Sequence, residues 1–167
     1  LLKEVQLRLA TLTGFDVQSL RWAAEELQVI HYAAPQGQFK AHHDSTGFKP
    51  RLLTALIYLN NLDTREGEGE GEEEHGGTWF PYASDNGGGH DTPPSSVDEA
   101  VATALRELNP AQRGLTIAPK KGAAILFFNH RPDGSVDHLA VHAGLPVLNG
   151  EKWAANFWYG PMGNNPE

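Results

Sequence analysis

Short, β-rich apolar segments separated by turn-forming residues recur along most of this chain, and that pattern limits the folds open to it. Leu27-Gln28-Val29-Ile30-His31-Tyr32 runs into Ala33-Ala34-Pro35-Gln36-Gly37. Phe39 to His43 follows. Leu52 to Leu59 is a nearly continuous apolar stretch, the kind buried on both faces. Gly77-Thr78-Trp79-Phe80 stops at Pro81, and Leu115–Ala118 and Ala123–Phe128 are split by the turn Pro119-Lys120-Lys121-Gly122. His138–His142 and Trp153–Tyr159 close the series. Many short strands with such punctuation predict an antiparallel sandwich or barrel.

Two helices are expected ahead of the strands, one over Leu1 to about Thr13 with Leu2, Val5, Leu9 and Leu12 at helical spacing, and one over Val17–Glu26. A third is expected inside an insertion at 83–113. There Ser96-x-x-Glu99 reads as a capping box, and Val97, Val101, Ala104, Leu105 and Leu108 form an apolar stripe that Asn109-Pro110 ends. This helix is either a lid or a packing element over the sheet. At 167 residues, with no internal repeat, the chain is expected to be a single domain over 1–167 and needs no covalent staple.

The net charge of −8 is unevenly placed. Glu66, Glu68, Glu70, Glu72, Glu73 and Glu74 fall in one Glu/Gly run, an acidic loop at 65–75. The run reads first as a solvated loop, and second as a clamp for a basic substrate or calcium. The acidic balance argues against a nucleic-acid partner. The absence of cysteine excludes disulfides and thiolate-bound zinc without fixing a compartment. No apolar run reaches the length of a membrane span, so membrane contact would need a segment outside this sequence. An upstream region, with any targeting signals, is expected before Leu1.

Eight histidines are too many to pair by eye. His31, His75, His90, His130 and His138 are read as ordinary structural residues. His42 and His43 are adjacent and, on a strand, face opposite ways; period two puts His42 on the face of Asp44. His42-x-Asp44 with the distant His142 would supply two imidazoles and a carboxylate to one face of a metal. That set leaves positions open, as in non-haem Fe(II) oxygenases. Lys152, ten residues past His142, would offer a cation to an acidic co-substrate.

Several ordered segments carry a resemblance. They are Glu26-Leu27-Gln28-Val29-Ile30-His31-Tyr32, Gly37-Gln38-Phe39, His42-x-Asp44, Arg51-x-x-Thr54-x-x-x-Tyr58-Leu59-Asn60-Asn61, Gly76-Gly77-Thr78-x-Phe80-Pro81 and Pro119-Lys120-x-Gly122. The last is His142-Ala143-Gly144-x-Pro146-Val147-x-x-Gly150-x-Lys152-Trp153-x-x-Asn156-x-Trp158. From about Leu7 to Pro161 the chain resembles the catalytic domain of the prolyl 4-hydroxylases, which are Fe(II)/2-oxoglutarate dioxygenases, nearest their transmembrane and plant or algal types. The resemblance implies a mainly β fold with flanking helices, the double-stranded β-helix or jelly roll. It implies His42, Asp44 and His142 as iron ligands and Lys152 as partner of the distal carboxylate of 2-oxoglutarate. Thr78, Tyr32 and Tyr58 match positions around that co-substrate, and Trp158 matches an aromatic near it and the peptide groove.

The implied reaction uses Fe(II), 2-oxoglutarate and O2, with ascorbate (vitamin C) as reductant. It hydroxylates a proline-containing peptide or protein at the 4-position and releases succinate and CO2. A lysyl or small-molecule substrate is the alternative, followed by a non-catalytic binding module on the same fold. The nearest relatives suggest the secretory pathway, in particular the endoplasmic reticulum lumen, with a cytoplasmic location left open.

Overall fold

The computed structural model describes residues 2–35, 37–45, 48–62, 75–83, 94–106, 109–110 and 113–161. The glutamates of the acidic run and much of the 83–113 insertion, His90 and Leu108 included, lie outside them. Among the described residues the chain forms α1 (Leu2–Thr13), α2 (Val17–Ala23), β1 (Gln28–Ala33), β2 (Gly37–His42), β3 (Leu53–Tyr58), β4 (Thr78–Phe80) and α3 (Val97–Arg106). Then come β5 (Leu115–Ile117), β6 (Ala124–Phe128), a 3-10 turn (His138–Ala140), β7 (His142–Val147) and β8 (Glu151–Tyr159). The strands make two four-stranded antiparallel sheets, β1-β8-β3-β6 and β2-β7-β4-β5. This is the double-stranded β-helix expected from the sequence.

The period of two along a strand divides the sheets into an inner and an outer surface. In β3 and β8 the outer residues Leu53, Ala55, Phe157 and Tyr159 pack against Leu9 of α1 and Leu20 of α2. The inner residues Leu56, Tyr58 and Ala154 form a separate cluster. Both faces of β3 are therefore covered, which explains an apolar run broken only by Thr54. On the second sheet Ala41, Trp79 and Ala143 pack against Ala100 and Ala104 of α3. The inserted helix is thus a packing element. Its buried face centres on two alanines, which permit close approach, while Leu105 is 52% exposed. Ser96 Oγ accepts from the Glu99 amide at 3.1 Å, but the Glu99 carboxylate returns to the Ser95 amide at 2.8 Å, one residue upstream of the expected box partner.

Two elements depart from expectation. The helix expected over Val17–Glu26 ends at Ala23, because Ala24 bridges to Tyr159 and the Glu25 amide donates to the Trp158 carbonyl at 2.8 Å. Pairing with the sheet replaces the last helical turn. The strand expected over His138–His142 is a 3-10 turn, capped by the Asp137 carboxylate on the Leu139 amide at 3.1 Å, and the strand begins only at His142. Its continuation carries Gly144 and Pro146, poor strand formers. The β2–β7 register slips between Gly37↔Val147 and Phe39↔Gly144, a bulge of the kind in which proline is tolerated.

Candidate metal centre and co-substrate cavity

The cavity between the sheets holds about 390 Å³ and is lined from both. β2 and β7 place His42 directly opposite His142 in register, with ring centroids 4.3 Å apart. Asp44, two residues past His42, turns back to the same side. His42 Nε2 lies 3.5 Å from Asp44 Oδ1, and His142 Nε2 lies 3.8 Å from Asp44 Oδ2. One donor atom from each of the three residues falls within 4.8 Å of the others, and among the described residues no other group of three or more His, Cys, Asp or Glu side chains does so.

The tautomers follow from the main chain. His42 Nδ1 is 2.9 Å from the Lys40 carbonyl, and His142 Nδ1 is 3.0 Å from the Ala140 carbonyl. A carbonyl only accepts, so each Nδ1 carries the hydrogen and each Nε2 keeps its lone pair toward Asp44. Phe80 and Phe127 pack on the His142 ring, at centroid distances of 5.5 and 4.9 Å. Burial pulls its pKa down to about 4 despite the nearby Asp44 carboxylate, so the ring is neutral at physiological pH. Burial alone would raise the Asp44 carboxyl. The His42 and His142 rings, which are protonated at the low pH where this carboxyl titrates, and the Thr54 hydroxyl outweigh it and hold the group well below the usual carboxylate range. An ionised carboxylate beside two imidazole lone pairs is a donor set for a divalent transition metal.

His43 points away. Its Nδ1 accepts from the Ser45 amide at 3.1 Å, and its Nε2 lies 3.0 Å from the Asp137 carbonyl. His31 stacks on Trp153, His130 meets Ser45 Oγ, and His138 meets the Pro94 carbonyl. Each has a structural contact of its own.

Lys152 lies on the inner face of β8 and is 2% exposed. Its Nζ donates to the Gly76 carbonyl at 2.6 Å, and no described carboxylate pairs with it. Burial pulls its pKa down to about 8. Tyr32 is its register partner on β1, with the ammonium 5.9 Å from that ring centroid. Tyr58 stands 5.3 Å from the ammonium on another side. Thr78 lines the cavity with its Oγ1 2.7 Å from the Tyr58 hydroxyl, which also lies 3.0 Å from the Ile117 carbonyl. Tyr58 is fully buried and backs Thr78 instead of lining the cavity. Trp158 lines the cavity under the Arg51 guanidinium, 3.6 Å from its ring centroid, and Arg51 is held bidentately by Glu25 at 2.7 and 3.0 Å.

The fold and the three-residue donor set define a jelly roll with a candidate metal site between its sheets. The pattern of the 2OG-Fe(II) oxygenase superfamily matches residues 27–160, and the chain belongs to that superfamily, whose cofactors are Fe(II) and 2-oxoglutarate. It is 36% identical over 141 residues to probable prolyl 4-hydroxylase 4 of Arabidopsis thaliana, covering 80% of this chain and 41% of that one. It is 32% identical over 155 residues to prolyl 4-hydroxylase subunit alpha-1 of Gallus gallus, covering 92% and 23%. The chain thus spans less than half the length of these relatives. The solved viral collagen prolyl hydroxylase of Paramecium bursaria Chlorella virus-1, in its 2OG complex, has the same fold, with TM-score 0.55 and 24% identity over 93% of this chain and 72% of that one. Among the described residues no helix is long and apolar enough to cross a membrane.

Nothing in the sequence alone singles out Asn129 or Phe127. Asn129 follows a strand and carries no motif, and Phe127 reads as ordinary core.

Proposed function

We propose that the chain is the catalytic domain of a prolyl 4-hydroxylase. In this reading His42 Nε2, the Asp44 carboxylate and His142 Nε2 hold Fe(II). Lys152 binds the distal carboxylate of 2-oxoglutarate, with Thr78 and Tyr32 beside it, Tyr58 orienting Thr78, and Trp158 at the peptide side. The observation that carries the reading is the Lys152 ammonium, buried in a cavity that also holds the metal donor set and, among the described residues, without a carboxylate partner. A buried cation is costly unless something neutralises it, and the distal carboxylate of 2-oxoglutarate would do so.

Iron with 2-oxoglutarate and O2 supplies the oxidising chemistry; the protein binds, orients and shields. The two Nδ1–H groups keep the imidazoles turned to the metal. Phe127 and Leu56 keep that side of the cavity apolar, and Phe80 backs the His142 ring. The products would be the hydroxylated peptide, succinate and CO2, and ascorbate would serve as the reductant.

Incubation with Fe(II), 2-oxoglutarate, ascorbate and a library of proline-containing peptides, followed by mass spectrometry, tests the reading. Peptides should gain the mass of one oxygen atom on proline, with matching succinate. Succinate formation driven only by lysyl or small-molecule substrates would move the assignment to that other substrate class. A secretory-pathway location is proposed on family resemblance and is checked by tagging the full-length protein.

A further inference from the structure

Asp44 is met inside the cavity by Thr54, on the inner face of β3. Thr54 Oγ1 donates to Asp44 Oδ2 at 2.7 Å. Behind it, Asn129 Nδ2 donates to the same Oγ1 at 3.0 Å. Asn129 follows β6 and is fully buried, and its Oδ1 has no hydrogen-bond partner.

These three groups have only one consistent polarity. An amide nitrogen only donates, an ionised carboxylate only accepts, and a hydroxyl has one hydrogen. With Nδ2 feeding the Thr54 oxygen, the hydroxyl hydrogen points at Asp44. Turning the amide over would set its oxygen against Oγ1, compete with Asp44 for that single hydrogen and bury the NH2 group without this acceptor. The orientation that leaves Oδ1 unpaired is the one that delivers a hydrogen to the carboxylate. The Asn129 main chain is pinned on both sides: its amide donates to the Leu52 carbonyl at 2.9 Å, and its carbonyl accepts from the Asp137 amide at 2.9 Å. The second bond reaches the loop that leads into His142. Asn129 therefore joins the strand that supports Asp44 to the segment that presents the second imidazole.

We infer that Thr54 and Asn129 are positioning residues of the metal centre, a two-step hydrogen-bond relay that fixes the rotation of the Asp44 carboxylate. Oδ2 is held by Thr54, and Oδ1 is left turned toward His42 Nε2, 3.5 Å away. This rests on the reading of His42, Asp44 and His142 as metal ligands. Partners that orient a ligating side chain commonly set metal affinity as strongly as they set activity.

The test is Mn(II) titration of the whole chain without co-substrate, followed by calorimetry and by the electron paramagnetic resonance of bound Mn(II). Melting curves of the metal-free forms accompany it. Thr54→Val keeps the shape and removes the hydroxyl; Mn(II) should bind roughly 10–100-fold more weakly, with an altered resonance. Thr54→Ser restores the hydroxyl and should return affinity close to wild type. Asn129→Leu removes the upstream donor and should weaken Mn(II) in the same direction; it carries the test if Thr54→Val does not fold. Wild-type affinity in Thr54→Val, or equal loss in Thr54→Ser, overturns the relay while leaving the metal site intact. Failure of the wild type to take up Mn(II), with His42→Ala behaving identically, overturns the metal reading and the relay with it.

Discussion

Lys152 Nζ sits 2.6 Å from the carbonyl oxygen of Gly76, and that neutral acceptor takes the place a carboxylate would fill in an ordinary buried ion pair. Among the described residues no carboxylate compensates that buried charge. Lys152→Met should stabilise the protein at neutral pH by about 1 kcal/mol, while weakening dicarboxylate binding by roughly 2–5 kcal/mol. Chemical denaturation and calorimetry with 2-oxoglutarate on the Mn(II)-loaded protein read these opposed effects. A variant that loses stability and keeps its affinity would contradict the assignment.

The pH dependence follows from the same ammonium. Its pKa in the folded, ligand-free state is about 8, against an ordinary 10.5. Above about pH 8 the unfolded chain holds this proton and the folded one does not. Stability from this group should accordingly rise between pH 8 and 10.5 and be flat below. A bound dicarboxylate favours the charged form, so binding above pH 8 takes up a proton. Affinity should then fall toward about tenfold per pH unit. Calorimetry in buffers of differing ionisation heat counts the proton, and an unchanged affinity from pH 7 to 9.5 would be inconsistent with this role.

Gly76 is held at φ +66, and a Cβ there would clash with the Leu62 side chain. Gly76→Ala should cost about 1–3 kcal/mol. It should also weaken 2-oxoglutarate binding, because the carbonyl that aligns Lys152 moves with the backbone. Melting curves and co-substrate titration check both effects.

The neighbouring histidines should separate cleanly. His42→Ala removes a donor and should abolish stoichiometric Mn(II) binding. His43→Ala breaks bonds to Ser45 and Asp137 and should lower stability by about 1–3 kcal/mol while one Mn(II) still binds. The reverse pattern would mean that the strand presents its other face to the cavity.

Much of this arrangement was legible in the residues. Alternation placed His42 beside Asp44 and set His43 apart, and the two-sided apolar run of β3 announced its central position. The stretch after His142 was not legible as a strand, since glycine and proline mask it and a bulge accommodates them. The end of α2 was hidden too, because the cause is pairing with Tyr159 and Trp158, far away in sequence. The Asn129 contact arises only when β6 is laid beside β3, so no local pattern could disclose it.

The alternation along β8 makes its spacing as consequential as its composition. Lys152 and Trp158 face the cavity, while Phe157 and Tyr159 anchor the helices on the other side. A one-residue deletion between Ala154 and Phe157 would shift the downstream half out of phase with the upstream half. Aromatic anchors would then swing into the cavity and Trp158 would swing out of it, though every side chain but one survived. Tolerance to substitution and intolerance to length change should therefore coexist in this segment.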